Sequence, residues 1–286
     1  MRRTRSRAGN RPLAIASLLA LGWSIAGGAQ ALAAEAAWPA SVAAHYKLAF
    51  GGFDVGGFDF KSQSDGKAYT TTGTASVSAL FGAFKWSGEM NAKGALNPDA
   101  AQPSGYQLHF KTKSKGGSVA LKFDKGAVNA IALVPNKPPS PEAVPVKPDN
   151  LKSVFDPLTS ILALTHAGPG DPCNKTIPIF DGKARFDLVL SRKGQEPLTE
   201  KKNSGQPAQL VVCRVKYVPI AGHKPKDFES PWVSYNAIEI ALRPIPSAHL
   251  YVPYRVTIPT TLGAAIMTAE KIEIIAANKS VIALTQ

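Results

Sequence analysis

Short stretches in which apolar and polar residues alternate recur through residues 43–131, and turns rich in glycine separate them. Alternation with a period of two is typical of a β-strand with one buried face, because successive side chains point to opposite faces. The pattern predicts six or seven strands at a spacing of roughly 8–12 residues, as in a sandwich, a barrel or a rolled sheet. Similar stretches return after residue 175. We therefore expect a mainly β protein with antiparallel strands.

One segment between these two β regions has the pattern of a helix. Asp156 is placed to cap its N-terminus, and Pro157 takes the first helical position, where a missing N–H costs nothing. Four side chains then share one face, and Gly168 followed by Pro169 predicts the end of the helix. The four are Leu158, Ile161, Leu162 and Thr165. A single short helix must be stabilised by its burial, so we expect it to close an open end of the sheet.

The segment 135–150, which precedes the helix, contains six prolines. Proline cannot donate a hydrogen bond to a sheet, so we predict an extended connector on the surface. The alternative is a partner-binding segment or a lid, but proline-rich spacers have no built-in specificity.

The first 33 residues have the three parts of a secretory signal: five arginines without an acid, an apolar stretch, and small residues at an Ala-x-Ala site. The apolar stretch contains three glycines and is shorter than the roughly 20 residues that span a bilayer, which disfavours a membrane anchor. We predict that residues 1–33 are removed and that residues 34–286 form a single β domain, with 135–150 as its connector. The exported chain then has no transmembrane segment.

The net charge of the whole chain is +13. Without the five arginines of the signal, 28 basic and 20 acidic side chains remain, a net charge of +8. No block of Lys and Arg is long enough to predict nucleic-acid binding. A moderately basic surface favours solubility first, with weak attraction to anionic lipids or polysaccharides as the alternative.

Cys173 and Cys213 are the two cysteines of the chain. In an exported protein such a pair predicts a disulfide, and the spacing is not that of a redox-active Cys-x-x-Cys motif. Closing a loop of about 40 residues restricts the unfolded chain enough to stabilise the fold by roughly 4 kcal/mol.

Several short motifs resemble the DUF3108 family of exported bacterial proteins, which has no assigned activity. They are Asp156–Thr159 at the helix start, the Cys173 strand with Phe180–Lys183 and Phe186–Leu188, and Cys213–Tyr217 with Pro219 and Ala221–Gly222. The strand around Tyr46, with its glycine-rich turn, is similar too. The resemblance implies a periplasmic protein with a strongly curved antiparallel sheet, and it supplies no catalytic residues. The expected fold is a β-roll, open barrel or spiral with one short helix.

No catalytic motif or phosphate-binding loop is present in the sequence. The five histidines form no metal-binding pattern, so we expect neither a metal nor another cofactor. A hydrolase or polysaccharide-modifying enzyme would have to use Asp181, Asp187 or His223. Asp181 precedes Gly182 and is first a turn residue, and His223 is better explained as a solvated loop histidine.

Apolar, aromatic and basic residues near the helix and the later strands are the candidates for ligand binding. They are Trp86, Leu162, Arg214, Lys216, Tyr235, Tyr254 and Arg255. The alternative for the basic residues is an ordinary solvated sheet face, which antiparallel sheets often have.

The leading hypothesis is a non-enzymatic protein of the cell envelope. A curved sheet with a helix at its mouth would bind a lipid, an acyl chain or a peptide in an apolar groove, or would present a surface to an envelope protein. The two alternatives are the periplasmic enzyme and a structural partner in envelope assembly.

Overall fold

A computed structural model of the chain describes residues 38–79, 82–168, 170–200, 202–226 and 238–285. The predicted signal, residues 1–33, lies outside them. In the described part, fourteen strands and one α-helix confirm a mainly β fold with one short helix. The elements are β1 (Ser41–Phe50), β2 (Phe53–Ser64), β3 (Ala68–Ala79), β4 (Phe84–Asn97), β5 (Ala100–Thr112), β6 (Gly116–Asp124), β7 (Ala127–Val134), α1 (Pro157–Thr165), β8 (Thr176–Phe180), β9 (Arg185–Pro197), β10 (Gln209–Ala221), β11 (Ile238–Ile245), β12 (Leu250–Thr260), β13 (Gly263–Ile275) and β14 (Val281–Thr285). Short 3₁₀ turns span Pro148–Leu151 and Pro246–Ala248.

All these strands belong to one antiparallel sheet, in the order β7-β6-β5-β4-β3-β2-β1-β13-β12-β11-β10-β9-β8. Strand β1 pairs with β13, so that the first strand and a late strand join two series of hairpins. Strand β14 pairs with β13 outside this path.

The sheet is strongly curved, as shown by the approach of its two outer strands to the same short segment of chain. Lys152 forms a bridge to Ala127 of β7, and three residues later Phe155 forms a parallel bridge to Ile179 of β8. The β strands do not close a barrel, since no ladder joins β7 to β8 in the described residues. The β8–β9 turn lies close to β6: a β-carbon added at Gly182 would be only 2.4 Å from the side chain of Val119.

Helix α1 lies on the concave face of this sheet. Leu158 and Leu162 pack into an apolar cluster with side chains of β1–β6, and Ala163 and Leu164 pack against a second cluster of β8–β12. The helix therefore joins the two halves of the sheet from inside.

Both ends of α1 are capped. The Asp156 carboxylate accepts the backbone N–H groups of Leu158 at 3.0 Å and Thr159 at 2.9 Å, as the sequence predicts. The helix ends before Gly168, as the sequence predicts: Thr165 is its last residue and His166 its C-cap. The ammonium of Lys175 donates to the carbonyls of residues 163, 164 and 166 at 2.7–3.2 Å and satisfies the groups that a helix end leaves unpaired.

The proline-rich segment 135–150 forms no strand. Its Val144 N–H donates to the His223 carbonyl at 2.9 Å, and the Gly222 N–H donates to the Val144 carbonyl at 2.7 Å. The segment is thus held at the end of β10 before it returns to α1.

Candidate functional site

The concave face has a filled end and an open end. At the filled end, Trp38 stacks on His166, just past α1, with ring centroids 4.2 Å apart, and its indole N–H donates to the Asn97 carbonyl. A cavity of about 30 Å³ remains there between α1 and β1–β4. Such a volume holds about two water molecules, so the filled end has no space for a ligand.

Beyond the N-terminus of α1, the concave face is lined by apolar side chains that are only half-buried. Cross-strand pairing and alternation put these residues on the side that α1 occupies. They are Leu48, Phe58, Val77, Trp86, Met90, Leu108, Phe110, Val256, Ile258 and Met267. We call these ten side chains the apolar floor.

Glycines allow the aromatic rings of this floor to lie close to the sheet. A β-carbon at Gly88 would lie 2.5 Å from the Trp86 ring, and one at Gly117 would lie 2.6 Å from the Phe110 ring. The absence of a side chain at these two positions leaves room for the flat rings. The floor is therefore a shallow, continuous apolar surface.

A buried polar chain lies between the floor and the filled end. The Thr159 hydroxyl donates to Asp156 at 2.5 Å, and because a hydroxyl has one proton, the Tyr69 hydroxyl must donate to Thr159, at 2.7 Å. Loss of hydration on burial raises the pKa of Asp156 to about 6. Burial also raises the pKa of Tyr69, Tyr46 and Tyr106, which stay neutral. This network fixes α1 against β3.

The predicted disulfide is confirmed. Cys173 and Cys213 are bonded, with their Cα atoms 5.3 Å apart, and both are fully buried. The bond ties the chain after α1 to the centre of β10, and Lys175, two residues later, holds the C-terminus of α1. These adjacent contacts attach the helix to the β8–β12 half.

The three residues proposed for an enzyme do not converge. Asp181 accepts the N–H groups of Lys183 and Ala184 in the β8–β9 turn, and Asp187 pairs with Arg185 at 2.6 Å. His223 contacts the Tyr217 hydroxyl at 3.0 Å and the ring of Phe186, which faces opposite to Asp187 on β9. Each side chain thus has a structural role where it lies.

The predicted ligand-binding residues fall on two faces. Trp86 and Leu162 lie on the concave side, Trp86 in the floor and Leu162 on α1, where its side chain is buried against the sheet. Arg214 and Lys216 are exposed on the convex face of β10. Tyr254 packs there on Leu210 and Val212, and Arg255 pairs with Glu196 at 2.6 Å. Tyr235 lies outside the described residues.

Residues 45–270 match a family described as "Protein of unknown function (DUF3108)". The chain belongs to the DUF3108 family. No curated protein matches this DUF3108 chain. Among solved structures, it is similar to a beta-barrel-like protein of the domain of unknown function DUF1849 from Brucella abortus, with 13% identity and a TM-score of 0.46. That likeness covers 83% of this chain and 98% of the other.

No helix in the described part of the DUF3108 chain is long and apolar enough to cross a membrane. Within the same residues, no three His, Cys, Asp or Glu side chains form a metal-binding group.

Sequence reasoning missed most of the apolar floor. Alternation places Phe58, Leu108 and Met267 on one face of their strands, but it does not say which face is concave. Only the pairing of β1 with β13 brings these three strands onto one surface.

Proposed function

We propose that this DUF3108 protein is a non-enzymatic, periplasmic binding protein that holds the acyl chain of an envelope lipid on its apolar floor. The observation that carries the proposal is the floor itself: ten half-buried apolar side chains on the inside of a curved sheet. A partly exposed apolar surface of this extent is typical of a ligand groove, since an interior that served only for stability would be covered.

The chemistry of the floor supports an acyl chain better than a polar ligand. Along β2–β5 the concave positions beyond α1 include Phe58, Ala75, Val77, Trp86, Gly88, Met90, Leu108 and Phe110, none of which has a charge, and the polar Thr112 lies opposite Trp86 at the end of β5. A peptide backbone would need hydrogen-bond partners here, and these side chains supply almost none. A methylene chain needs only contact with apolar groups.

The geometry also limits where the chain binds. The cavity beside α1 is too small, so the acyl chain lies on the floor between the N-terminus of α1 and the open end of the sheet. Binding there needs no movement of the helix.

Native mass spectrometry combined with solvent extraction tests this proposal on protein purified gently from the periplasm. We expect a bound lipid of defined mass on the wild type. Val77→Asp places a charge on the floor and is expected to remove the lipid. Its neighbour Ser76 lies on the convex face of β3, so Ser76→Asp is the matched control and should retain the lipid.

Protein that carries no lipid, or equal lipid on both variants, would contradict the acyl-chain proposal. Lipid-free protein that copurifies with another envelope protein would favour the structural-partner hypothesis.

A further inference from the structure

The open end of the sheet carries exposed apolar side chains at the tips of its turns. Phe53, the first residue of β2 after the β1–β2 turn, is 77% exposed, and Leu262 of the β12–β13 turn is 82% exposed. Phe84, the first residue of β4, and Val134, the last of β7, are 50% and 61% exposed. In a soluble protein, large apolar side chains are seldom exposed together in this way without a partner.

These tips lie at one end of the molecule because of the antiparallel topology. Strands β1, β3, β5, β7 and β12 all run towards this end, and their neighbours run away from it. The Gly51 N–H donates to the Ala264 carbonyl at 3.1 Å, so the turns that carry Phe53 and Leu262 are in direct contact. We call this end, with the four tips, the rim.

Four lysines lie at the same end of the sheet, on its β4–β6 side. Lys85 follows Phe84, Lys111 is the last residue but one of β5, and Lys113 and Lys115 lie in the β5–β6 turn, all with exposed side chains. Within the described residues, none of these four makes an ion pair with an acid. The acid beside Phe53 is Asp54, and it lies 3.5 Å from Lys47.

Exposed apolar tips among unpaired lysines have the chemistry of a surface that binds an anionic bilayer. The tips enter the boundary between headgroups and acyl chains, while the ammonium groups stay with the lipid phosphates. We infer that the rim docks on the surface of an anionic lipid membrane, with Phe53 and Leu262 inserted and Lys85, Lys111, Lys113 and Lys115 on the headgroups.

Charge complementarity favours this partner over a second copy of the chain. Two rims facing each other would bring four lysines of each copy together, and like charges repel. The inference does not rest on the acyl-chain proposal, because it uses residues of the turns and not of the floor. The rim opens onto the floor, so a docked molecule would face the lipid that it binds.

Vesicle flotation tests the docking, with the wild-type protein purified from the cells that produce it. The probes are vesicles of phosphatidylcholine alone and of phosphatidylcholine with phosphatidylglycerol. We expect binding to the anionic vesicles only, weakened by added salt. The double variant Phe53→Ser with Leu262→Ser should bind about tenfold or more weakly, since two apolar side chains no longer insert.

Two matched controls lie at the opposite end of the sheet. Val281 of β14 is 66% exposed, so Val281→Ser removes a similar apolar side chain and should leave vesicle binding unchanged. The double variant Lys111→Gln with Lys113→Gln should lower the affinity for anionic vesicles about 30-fold. Lys67→Gln, in the β2–β3 turn, should not.

Three results would overturn the inference: no binding to anionic vesicles, equal binding to both vesicle types, or an equal loss from Val281→Ser and the tip variant. A fourth is a wild-type dimer in sedimentation velocity that the tip variant converts to a monomer, because the rim would then bind a second copy. Val77→Asp should lose the bound lipid and still bind anionic vesicles if both proposals hold. Wild-type protein that binds anionic vesicles but carries no lipid keeps the docking and removes the acyl-chain proposal.

Discussion

The two halves of the curved sheet are built differently. In β2–β7 the buried and exposed positions mostly alternate, and the convex face is in water. In β10 the four residues Leu210–Cys213 are all buried, so both faces are covered over this part of the strand. The first half therefore buries one face of the sheet, whereas the second half buries both faces around Leu210–Cys213.

Different elements cover the second half. On the concave side, the disulfide and the C-terminal part of α1 lie over β8–β11. On the convex side, Leu198 and Tyr254 pack on Leu210 and Val212, and the buried guanidinium of Arg243 pairs with Glu200. The polar segment 192–209 therefore includes the end of β9 and part of this cover.

This difference shows why the floor belongs to the first half together with the edge of β12–β13. The second half has bonds and packing on both sides and serves as the support from which α1 is held. The first half is held from inside by one turn of α1 and leaves its remaining concave surface half-buried. The proposed ligand surface and the packed support for α1 thus share one continuous sheet.

The largest test of this comparison is the loss of the disulfide. Cys173→Ser together with Cys213→Ser should lower the free energy of unfolding by about 4 kcal/mol, because the loop of 40 residues is no longer closed in the unfolded chain. Urea unfolding measures the change, and reduction of the wild type should reproduce it. A loss below about 1 kcal/mol would show that the second half does not depend on the bond.

A pair of leucine truncations compares the two environments directly. Leu162→Ala removes a buried side chain by which α1 packs on the sheet, and it should lower the free energy of unfolding by about 3 kcal/mol. Leu108→Ala removes a half-buried side chain of the floor and should lower it by about 1 kcal/mol. Urea unfolding of both variants measures the difference, and equal losses would mean that the floor is part of the packed core.

How far the sequence predicts these regions follows from the range of each interaction. The Asp156 cap, the Asp181–Gly182 turn and the alternating strands are local, and each was predicted. The cysteine pairing was predicted because only one pairing was possible. The contact of Lys175 with α1 and the bridges of Lys152 and Phe155 depend on tertiary approach, which has no local pattern. The same holds for the two faces of β10, because a continuous buried run does not show which side is concave.

The polar chain under α1 makes stability depend on pH. The pKa of Asp156, about 6 in the fold, lies above its ordinary value of 3.8. The folded state therefore binds the proton more tightly than the unfolded state, so the free energy of unfolding falls as pH rises from about 4 to about 6 and is level above that range. The expected fall from this residue is about 2–3 kcal/mol.

Asp156→Asn should remove that fall, because the amide oxygen still accepts the two backbone N–H groups but does not ionise. Urea unfolding between pH 4 and pH 7 compares the two proteins. Asp65 is an exposed turn acid at the far side of β3, and Asp65→Asn serves as the control that should keep the wild-type fall. Identical slopes for wild type and Asp156→Asn would show that the buried carboxyl does not hold a proton in this range.

The smallest effects are expected on the convex face of β10, where the cover of the second half ends. Tyr254→Ala uncovers Leu210 and Val212 and should lower the free energy of unfolding by about 2 kcal/mol. Arg214→Ala and Lys216→Ala, a few residues along the same face, should each change it by less than about 0.5 kcal/mol, since both side chains are in water. Native mass spectrometry of the last two variants should show the same bound lipid as the wild type, because neither side chain reaches the floor. A loss of lipid from either variant would place the ligand on the convex face, and the β8–β12 half would then carry the binding site.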